Sequence, residues 1–286
     1  MLQNANNYLK NKESGCNKMK LNKKKLFLMD MDGTIYLGNR LFDSTLPFFE
    51  YLTEKGAKYI FITNNSSKDI KQYYKKLENM NIPVTPECLI TSTHATARYL
   101  KSRYNNKPIF ASGTSAFIQE LITSGLNITD DINTPISALV MGYDTELTFQ
   151  KLENMCILLG REIDYIATNP DLICPTEYGY VPDCGSIAQI LKNATGREPI
   201  FIGKPMPAMI EMALEQTGAT KEETLIIGDR LYTDVACGIA AGVDTALVLS
   251  GESTEDDIKI RPYRPDYVFR DIGQLLENMK HEEMEN

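Results

Sequence analysis

The feature that most constrains the fold is the stretch of residues 26–34, which reads LFLMDMDGT. Its four uninterrupted apolar residues predict a short strand that is buried on both faces. Two carboxylates, Asp30 and Asp32, follow where that strand should end, and Gly33 and Thr34 allow the chain to turn. Open α/β sheets bind ligands at the carboxyl ends of their parallel strands, so this pattern predicts a site. A strand that ends in a solvated acidic turn would explain the same pattern, and both interpretations stay open at this point.

Three further apolar runs also end in polar residues. Residues 58–62 lead into Thr63 and Asn64, residues 200–203 into Lys204, and residues 225–227 into Asp229, with Asp234 five residues later. Segments of helical periodicity separate these runs, which is the pattern of an α/β protein. If the strands form one parallel sheet, their ends share an edge and the polar residues converge there. The sequence therefore predicts a Rossmann-like parallel-sheet core with a site at one edge.

The chain divides into an expected core and an expected insertion. Residues 106–199 repeat the strand and helix pattern with elements of their own, which predicts an inserted α/β domain. The core is then formed by residues 23–105 and 200–286. Residues 1–22 are polar and basic with few apolar positions, so we expect a disordered extension there. Met19, just before the first strand, is a second candidate for the start of translation, which an intact-mass measurement of the native protein would test.

The composition argues against several classes of function. A net charge of -8 and a pI near 5.0 disfavour binding to nucleic acid. No apolar run approaches the ~20 residues of a membrane span, so no membrane partner is expected. The six cysteines lack CxxC spacing and no secretory signal is recognisable, which predicts reduced thiols and a cytoplasmic location. Cys184, before an expected helix, is the best candidate for a reactive thiol, although packing explains it better.

Acidic residues, one lysine and a polar turn together suit a phosphate monoester and a metal ion. Carboxylates without histidine or cysteine ligands favour a hard cation, and Mg²⁺ prefers a few carboxylates, water and phosphate oxygens. Each like-charge pair about 4 Å apart would cost about 1 kcal/mol in water and about 4 kcal/mol at an effective dielectric of about 20. The site therefore needs Mg²⁺, Lys204 and the N–H groups of the turn after residue 62 as counter-charge. Ser66 and Ser67 in that turn could instead simply cap the next helix.

Such a site allows one carboxylate to attack phosphorus while another protonates the leaving alcohol and then activates water. Other chemistries fit less well. There is no GxSxG motif, and His94 is the only histidine of the expected folded region, which disfavours a Ser-His-Asp site. No cysteine has an arginine six residues on, and residues 196–204 lack the spacing of a Walker A loop. A glycosyltransferase could hold a metal-nucleotide with Asp30 and Asp32, but Lys204 would then have no role.

The ordered set of motifs resembles the haloacid dehalogenase-like (HAD) superfamily of phosphohydrolases. The four motifs lie at residues 30–34, 63–65, 203–205 and 228–234, and the resemblance covers about residues 24–278. It is closest to the branch that contains 4-nitrophenylphosphatases, phosphoglycolate phosphatases and pyridoxal phosphate phosphatases. In that branch a large α/β cap is inserted between the second and third motifs, as in the domain division expected here.

The resemblance implies a role for each motif residue. It makes Asp30 the nucleophile and Asp32 the general acid and base. It also implies that Thr63, the main chain at Asn64 and the side chain of Lys204 bind the phosphoryl oxygens. An aspartate at position 32 is typical of the phosphatases and mutases of the superfamily, not of its dehalogenases or transport ATPases.

The resemblance also implies a Mg²⁺ site. Its ligands would be the Asp30 side chain, the Asp32 main-chain carbonyl and Asp229, with Asp234 behind them. The cap would close over this site, and its loop of residues 169–183 is expected to contact the leaving group. Pyridoxal phosphate phosphatases are expected to carry a histidine in that loop. This chain has Cys174 near that place, which disfavours pyridoxal phosphate as a substrate.

We therefore predict a Mg²⁺-dependent phosphatase that hydrolyses phosphate monoesters of small metabolites through an aspartyl-phosphate. A phosphotransferase or phosphomutase on the same site is one alternative, and a non-catalytic binding protein on the same fold is a second. The expected partner is a small phosphorylated metabolite, with no nucleic acid and no membrane, and the analogy allows a homodimer through the cap.

Overall fold

The computed structural model describes residues 19–176 and 178–285. The predicted disorder of residues 1–18 therefore lies outside the described residues. Residues 19–22, which were expected to share that disorder, do not extend away from the protein. Leu21 opens a short 3₁₀ helix, Leu21–Lys23, and its side chain is buried. The boundary at residue 23 is thus a few residues too late, because Leu21 packs into the core.

The secondary structure alternates between strands and helices through the described chain. The strands are β1 (Leu26–Met29), β2 (Tyr36–Leu37), β3 (Arg40–Leu41), β4 (Lys58–Thr63), β5 (Leu89–Thr91), β6 (Ile109–Ser112), β7 (Ile128–Thr129), β8 (Ala138–Met141), β9 (Asp164–Ala167), β10 (Ile173–Thr176), β11 (Gly179–Pro182), β12 (Ile200–Phe201), β13 (Thr224–Gly228), β14 (Asp244–Val248) and β15 (Tyr267–Phe269). The helices are α1 (Thr45–Glu54), α2 (Ile70–Asn79), α3 (Ser92–Tyr104), α4 (Ser115–Thr123), α5 (Phe149–Leu159), α6 (Cys184–Thr195), α7 (Ala208–Thr217), α8 (Ala236–Ala241), α9 (Glu255–Ile260) and α10 (Ile272–Met284).

The core is a six-stranded sheet in the order β15-β14-β13-β1-β4-β5, and every neighbouring pair is parallel. The central strand β1 is buried on both faces, as predicted. Leu26 and Leu28 pack on one face with residues of α3, α7 and α8. Phe27 and Met29 pack on the other face with residues of α1, α2 and α10. Each such side chain contributes roughly 1.5–3 kcal/mol by burial, so this strand anchors the sheet.

The insertion forms a second sheet in the order β12-β9-β8-β6-β7, again with parallel pairs throughout. Its helices α5 and α6 pack together on one face. An antiparallel hairpin, β10-β11, projects from the loop between β9 and α6. The predicted α/β fold with an inserted α/β domain is confirmed, and we call the insertion the cap.

One predicted strand lies in the other sheet. Residues 200–203 were expected to return to the core sheet, but β12 pairs with β9 at the edge of the cap sheet. The Ile202 and Gly203 N–H groups continue this pairing by donating to the Ala167 and Thr168 carbonyls. The cap therefore includes β12, and Lys204 enters the core from the cap without a core strand of its own.

Two observations concern the membrane and the thiols. Within the described ranges, no helix combines the length and apolar character needed to cross a bilayer. The five cysteines that lie in these ranges are all free thiols. Cys184 is fully buried, and burial raises the pKa of its thiol to about 12. Cys184 is therefore a packing residue and not a reactive thiol.

Candidate active site

Three adjacent core strands bring most of the predicted site residues together. Asp30 follows β1, Thr63 ends β4 and Asp229 follows β13. The order β13-β1-β4 makes these strands neighbours, and all three run in the same direction. Asp30 stays in register with the sheet because its N–H donates to the Ile227 carbonyl at 2.9 Å. The predicted convergence at one sheet edge is therefore observed for these strands.

Lys204 lies between two of the carboxylates. Its buried ammonium donates to Asp30 Oδ1 and to Asp234 Oδ1, each at 2.6 Å, and to the Ile62 carbonyl at 3.2 Å. Burial lowers the pKa of Lys204, but the Asp234 and Asp30 carboxylates outweigh it and raise the pKa above its usual value. Lys204 is therefore a fixed positive charge at any physiological pH, as binding of a phosphate group requires.

The carboxylates of Asp30, Asp229 and Asp234 form a candidate metal site. One oxygen from each lies within 4.8 Å of the other two. Asp229 Oδ2 accepts the Glu252 N–H at 2.7 Å, whereas Asp229 Oδ1 is buried without a hydrogen-bond partner. Burial, followed by the charges of Asp30 and Asp234, raises the pKa of Asp229 above its usual value. A buried oxygen without a partner beside two other carboxylates fits a hard divalent cation.

The turn after β1 allows Asp229 to approach closely. Gly33 has φ +85°, and a Cβ there would lie 2.5 Å from Asp229 Oδ2. A Cβ at Gly251 would lie 2.1 Å from the same oxygen. Glycine is therefore required at both positions. The close packing of Asp229 explains why the motif of residues 30–34 contains a glycine at position 33.

Asp32 lies at the mouth of the site and is half-buried. Its Oδ1 accepts the Gly38 N–H at 3.4 Å. Burial is the largest cause that raises the pKa of Asp32, and the Lys76 ammonium offsets part of the rise. A carboxyl with a raised pKa beside a nucleophile suits a general acid and base.

The turn after β4 is built jointly by the core and the cap. Thr63 Oγ1 accepts the Asn65 N–H at 3.2 Å. The Asn64 side chain accepts the Lys204 N–H at 2.8 Å and donates to the Lys204 carbonyl at 3.0 Å and to Asp171 Oδ2 at 2.7 Å. The side chain of Asn64 is thus engaged by the protein, and its carbonyl accepts from Ser92 Oγ at 2.6 Å. The main-chain N–H is therefore the group of Asn64 that suits the phosphate contact implied by the resemblance.

The interpretation of Ser66 and Ser67 as helix caps is wrong. Asp69 caps α2 by accepting the Gln72 N–H at 2.8 Å. Ser66 instead contacts the cap, because its Oγ lies 2.9 Å from Thr168 Oγ1 and accepts the Tyr143 N–H at 2.8 Å. The turn is therefore held from both domains.

A cavity of about 270 Å³ lies between the core and the cap over these residues. Asp30, Asp32, Thr63, Asn64 and Lys204 line it from the core, and Ile173, Cys174, Pro175 and Thr176 line it from the cap hairpin. The loop of residues 169–183 is thus placed where it can contact a leaving group, as predicted. Burial raises the pKa of the Cys174 thiol to about 11, so Cys174 is neutral there.

Five charged residues of the cavity were missed as site residues from the sequence: Lys68, Lys76, Asp171, Asp183 and Arg230. Arg230 lies 2.9 Å from Glu252 by its Nε and 3.9 Å from Asp171 by its Nη1. The position of Arg230 next to Asp229 in the sequence could have identified Arg230 as a site residue. Lys76 has no such signal, because it lies on an amphipathic helix whose lysines otherwise face solvent.

Comparisons with known proteins agree with this geometry. Residues 27–127 match the family model described as haloacid dehalogenase-like hydrolase, and residues 201–275 match one described as HAD-hydrolase-like. The acid sugar phosphatase of Staphylococcus aureus (strain MRSA252) is 35% identical over 256 residues, which cover 90% of this chain and 98% of that protein.

Two solved structures are similar over nearly the whole chain. The 4-nitrophenylphosphatase of Thermotoga maritima superposes with a TM-score of 0.85 at 40% identity, covering 90% of this chain and 98% of that one. A glycerol phosphate phosphatase of Mycobacterium tuberculosis in complex with magnesium gives a TM-score of 0.85 at 27% identity, covering 92% of this chain and 80% of that one.

Proposed function

We propose that this chain, which belongs to the haloacid dehalogenase-like hydrolases and hydrolyses phosphate monoesters, works with Mg²⁺ and forms an aspartyl-phosphate on Asp30. The observation that carries the proposal is the contact of Lys204 with Asp30 beside the partnerless oxygen of Asp229. The proposed nucleophile, a fixed cation and a carboxylate oxygen that accepts no hydrogen bond lie together at this edge of the core sheet.

Mg²⁺ would be held by the carboxylates of Asp30 and Asp229 and by the Asp32 main-chain carbonyl. When bound, it would neutralise the phosphoryl oxygens and hold them for in-line attack. Asp234 serves a different purpose, because its Oδ1 accepts from Lys204 and its Oδ2 accepts the Arg230 N–H at 3.2 Å. Asp234 therefore orients the lysine.

In the first step, the Asp30 carboxylate attacks phosphorus and the bond from phosphorus to the leaving oxygen breaks. Lys204 holds Asp30 by Oδ1, which fixes the direction of its other oxygen. Asp32 donates its proton to the leaving oxygen, so the alcohol departs neutral. Thr63, the main chain at Asn64 and Lys204 bind the phosphoryl oxygens and stabilise the negative charge on them in the transition state.

In the second step, Asp32 accepts a proton from water, and the water oxygen attacks phosphorus. The bond between phosphorus and Asp30 breaks, which releases phosphate and restores the Asp30 carboxylate. The proton that Asp32 gave to the alcohol is thereby replaced, and the site returns to its starting state.

The proposed substrates are monophosphates of small metabolites. The names of the relatives, which include acid sugar, 4-nitrophenyl and glycerol phosphate phosphatases, support this class. A cavity of about 270 Å³ suits a leaving group of that size. The cytoplasmic location, the homodimer through the cap and the absence of a nucleic-acid partner stay predictions.

The test is a rapid-quench experiment with 4-nitrophenyl phosphate on enzyme freed of metal and then supplied with Mg²⁺. We expect 4-nitrophenol to appear ahead of inorganic phosphate, and a phosphoryl group on Asp30 to be found by mass spectrometry of the quenched enzyme. Equal rates of product appearance with no phosphorylated enzyme, or full activity without added metal, would contradict the proposal. Phosphate transferred to an added alcohol in place of water would favour the phosphotransferase alternative.

A further inference from the structure

Asp171 is a buried cap residue that reaches two core segments of the site. It follows β9 and is 4% exposed. Its Oδ2 accepts from Asn64 Nδ2 at 2.7 Å and from Asn169 Nδ2 at 3.0 Å. Its Oδ1 is buried without a hydrogen-bond partner and lies 3.9 Å from Arg230 Nη1. Asp171 therefore faces the turn after β4 and the turn after β13 at the same time.

Asn64 connects Asp171 to the main chain of Lys204. Its amide makes a two-point contact with that residue, accepting from the Lys204 N–H at 2.8 Å and donating to the Lys204 carbonyl at 3.0 Å. The segment has little room to shift, because a Cβ at Gly203 would lie 2.6 Å from Asn64 Oδ1 and 2.6 Å from the Thr168 carbonyl oxygen. The position of Asn64 therefore sets the position of the Lys204 backbone.

The Lys204 backbone in turn sets the ammonium group. All three of its short contacts, to Asp30, Asp234 and the Ile62 carbonyl, are made by the one Nζ atom. A movement of the main chain would lengthen the contact with Asp30, the proposed nucleophile. The hydrogen bond from Asn64 to Asp171 is charge-assisted and buried, so it is among the stronger polar contacts between the two domains.

We propose that Asp171 is a positioning residue for phosphoryl transfer: through Asn64, the cap holds Lys204 in its working place against Asp30. The inference rests on the proposed function of the site. It means that the catalytic lysine is fully placed only while the cap is docked on the turn after β4. A cap that had moved away would leave a core whose lysine is less well placed, so phosphoryl transfer is coupled to closure of the cavity.

The test compares Asp171→Ala with the wild type on two substrates, 4-nitrophenyl phosphate and glycerol 3-phosphate. We expect kcat to fall by about 10–100-fold, the usual effect of misplacing a catalytic group, with KM changed less than about threefold. Although Asp171 also lines the cavity, the factor should be the same for both substrates if Asp171 acts through Lys204, because Lys204 binds the phosphoryl group that both substrates share. Asp171→Asn keeps an acceptor oxygen for Asn64 and should recover most of the lost kcat.

A double-mutant cycle identifies the route of the effect. If Asp171 acts through Asn64, then Asp171→Ala should cost nothing further in an Asn64→Ala background.

The matched control is Asp144→Ala, which removes another buried cap carboxylate that pairs with Lys151 at 2.8 Å and does not line the cavity. We expect this variant to lose thermal stability but to keep kcat within about twofold of the wild type.

Several results would overturn the inference while leaving the proposed function intact. These are an unchanged kcat in Asp171→Ala, a loss that differs more than about fivefold between the two substrates, and full additivity with Asn64→Ala. A wild type inactive on both substrates would instead reject the proposed function. If Asp171→Ala does not fold, Asp171→Ser replaces it in the same comparisons, and a kcat equal to that of the wild type would be equally decisive.

Discussion

Replacing Lys204 with methionine removes the ammonium group that contacts both Asp30 and Asp234 and leaves an uncharged side chain of about the same length. In the native protein, the Nζ contacts Asp30 and Asp234 at 2.6 Å. Without it, oxygens of Asp30, Asp229 and Asp234 lie within 4.8 Å of one another, with the Arg230 guanidinium as the remaining counter-charge. At that separation and an effective dielectric of about 20, each pair of charges repels by about 3.5 kcal/mol.

Two magnitudes follow for Lys204→Met. Breaking a buried ion pair by removing one partner costs about 3–5 kcal/mol, which we expect as the loss in free energy of unfolding in metal-free buffer. A loss of about 3 kcal/mol in stabilisation of the phosphoryl group corresponds to roughly a hundredfold or more in kcat/KM. Added Mg²⁺ should restore more stability to the variant than to the wild type, because the ion supplies the missing counter-charge.

The assays are urea unfolding with and without Mg²⁺, and steady-state hydrolysis of 4-nitrophenyl phosphate. Lys24→Met is the matched control, because Lys24 is also a buried lysine, pairs with Asp244 at 2.7 Å and lies before β1, at the opposite end of that strand from Asp30. It should lose stability but keep kcat/KM within about threefold. A Lys204→Met enzyme within fivefold of wild-type kcat/KM, or a Lys24→Met enzyme equally inactive, would refute the reasoning.

Three further predictions concern the nucleophile, the metal and pH. Asp30→Asn should abolish hydrolysis of 4-nitrophenyl phosphate, because an amide is a poor nucleophile and carries no charge for a metal. The circular dichroism spectrum of the variant should be unchanged. Measurable turnover would reject Asp30 as the nucleophile. Removal of metal with a chelator should eliminate activity, and added Mg²⁺ should restore it, since the carboxylates repel a phosphate dianion; activity that survives chelation would contradict this. Burial raises the pKa of Asp183 to about 7, above the value of about 3.9 expected in the unfolded chain. The folded state therefore binds this proton more tightly than the unfolded state does. The stability of the protein should fall as pH rises from about 4 to above 7. Asp183→Asn should therefore show a smaller drop in Tm between about pH 5 and pH 8 than the wild type, and an equal drop would assign the pH dependence elsewhere.

The core sheet could be predicted in part because its buried strands carry their signal locally. The apolar runs that became β1, β4 and β13 are uninterrupted, and each ends at a polar residue that marks the sheet edge. The strands β5 and β15 were missed because they have only three residues each, and β10 and β11 because they lie in a loop rich in turn residues. Short strands are stabilised by their neighbours in the sheet and not by their own sequence.

The strand before Lys204 shows the limit of arguing from apolar runs. Residues 200–203 have the pattern of a buried strand, and the motif that follows them belongs to the core. The pattern cannot tell which of two parallel sheets receives the strand, since both offer an apolar edge. Pairing of β12 with β9 places it in the cap, so the boundary between the domains falls at Lys204 itself.

The amino-acid sequence by itself determined the types of residue at the strand ends, and with them the chemistry of a phosphate and a divalent cation. It did so because the end of a strand and the turn after it are local features. Only the tertiary structure decided which carboxylate oxygens lack a hydrogen-bond partner, how Lys204 lies between Asp30 and Asp234, and that Asp171 of the cap contacts Asn64. Those contacts join residues that are far apart in the chain, and they form only when the cap and the core pack together.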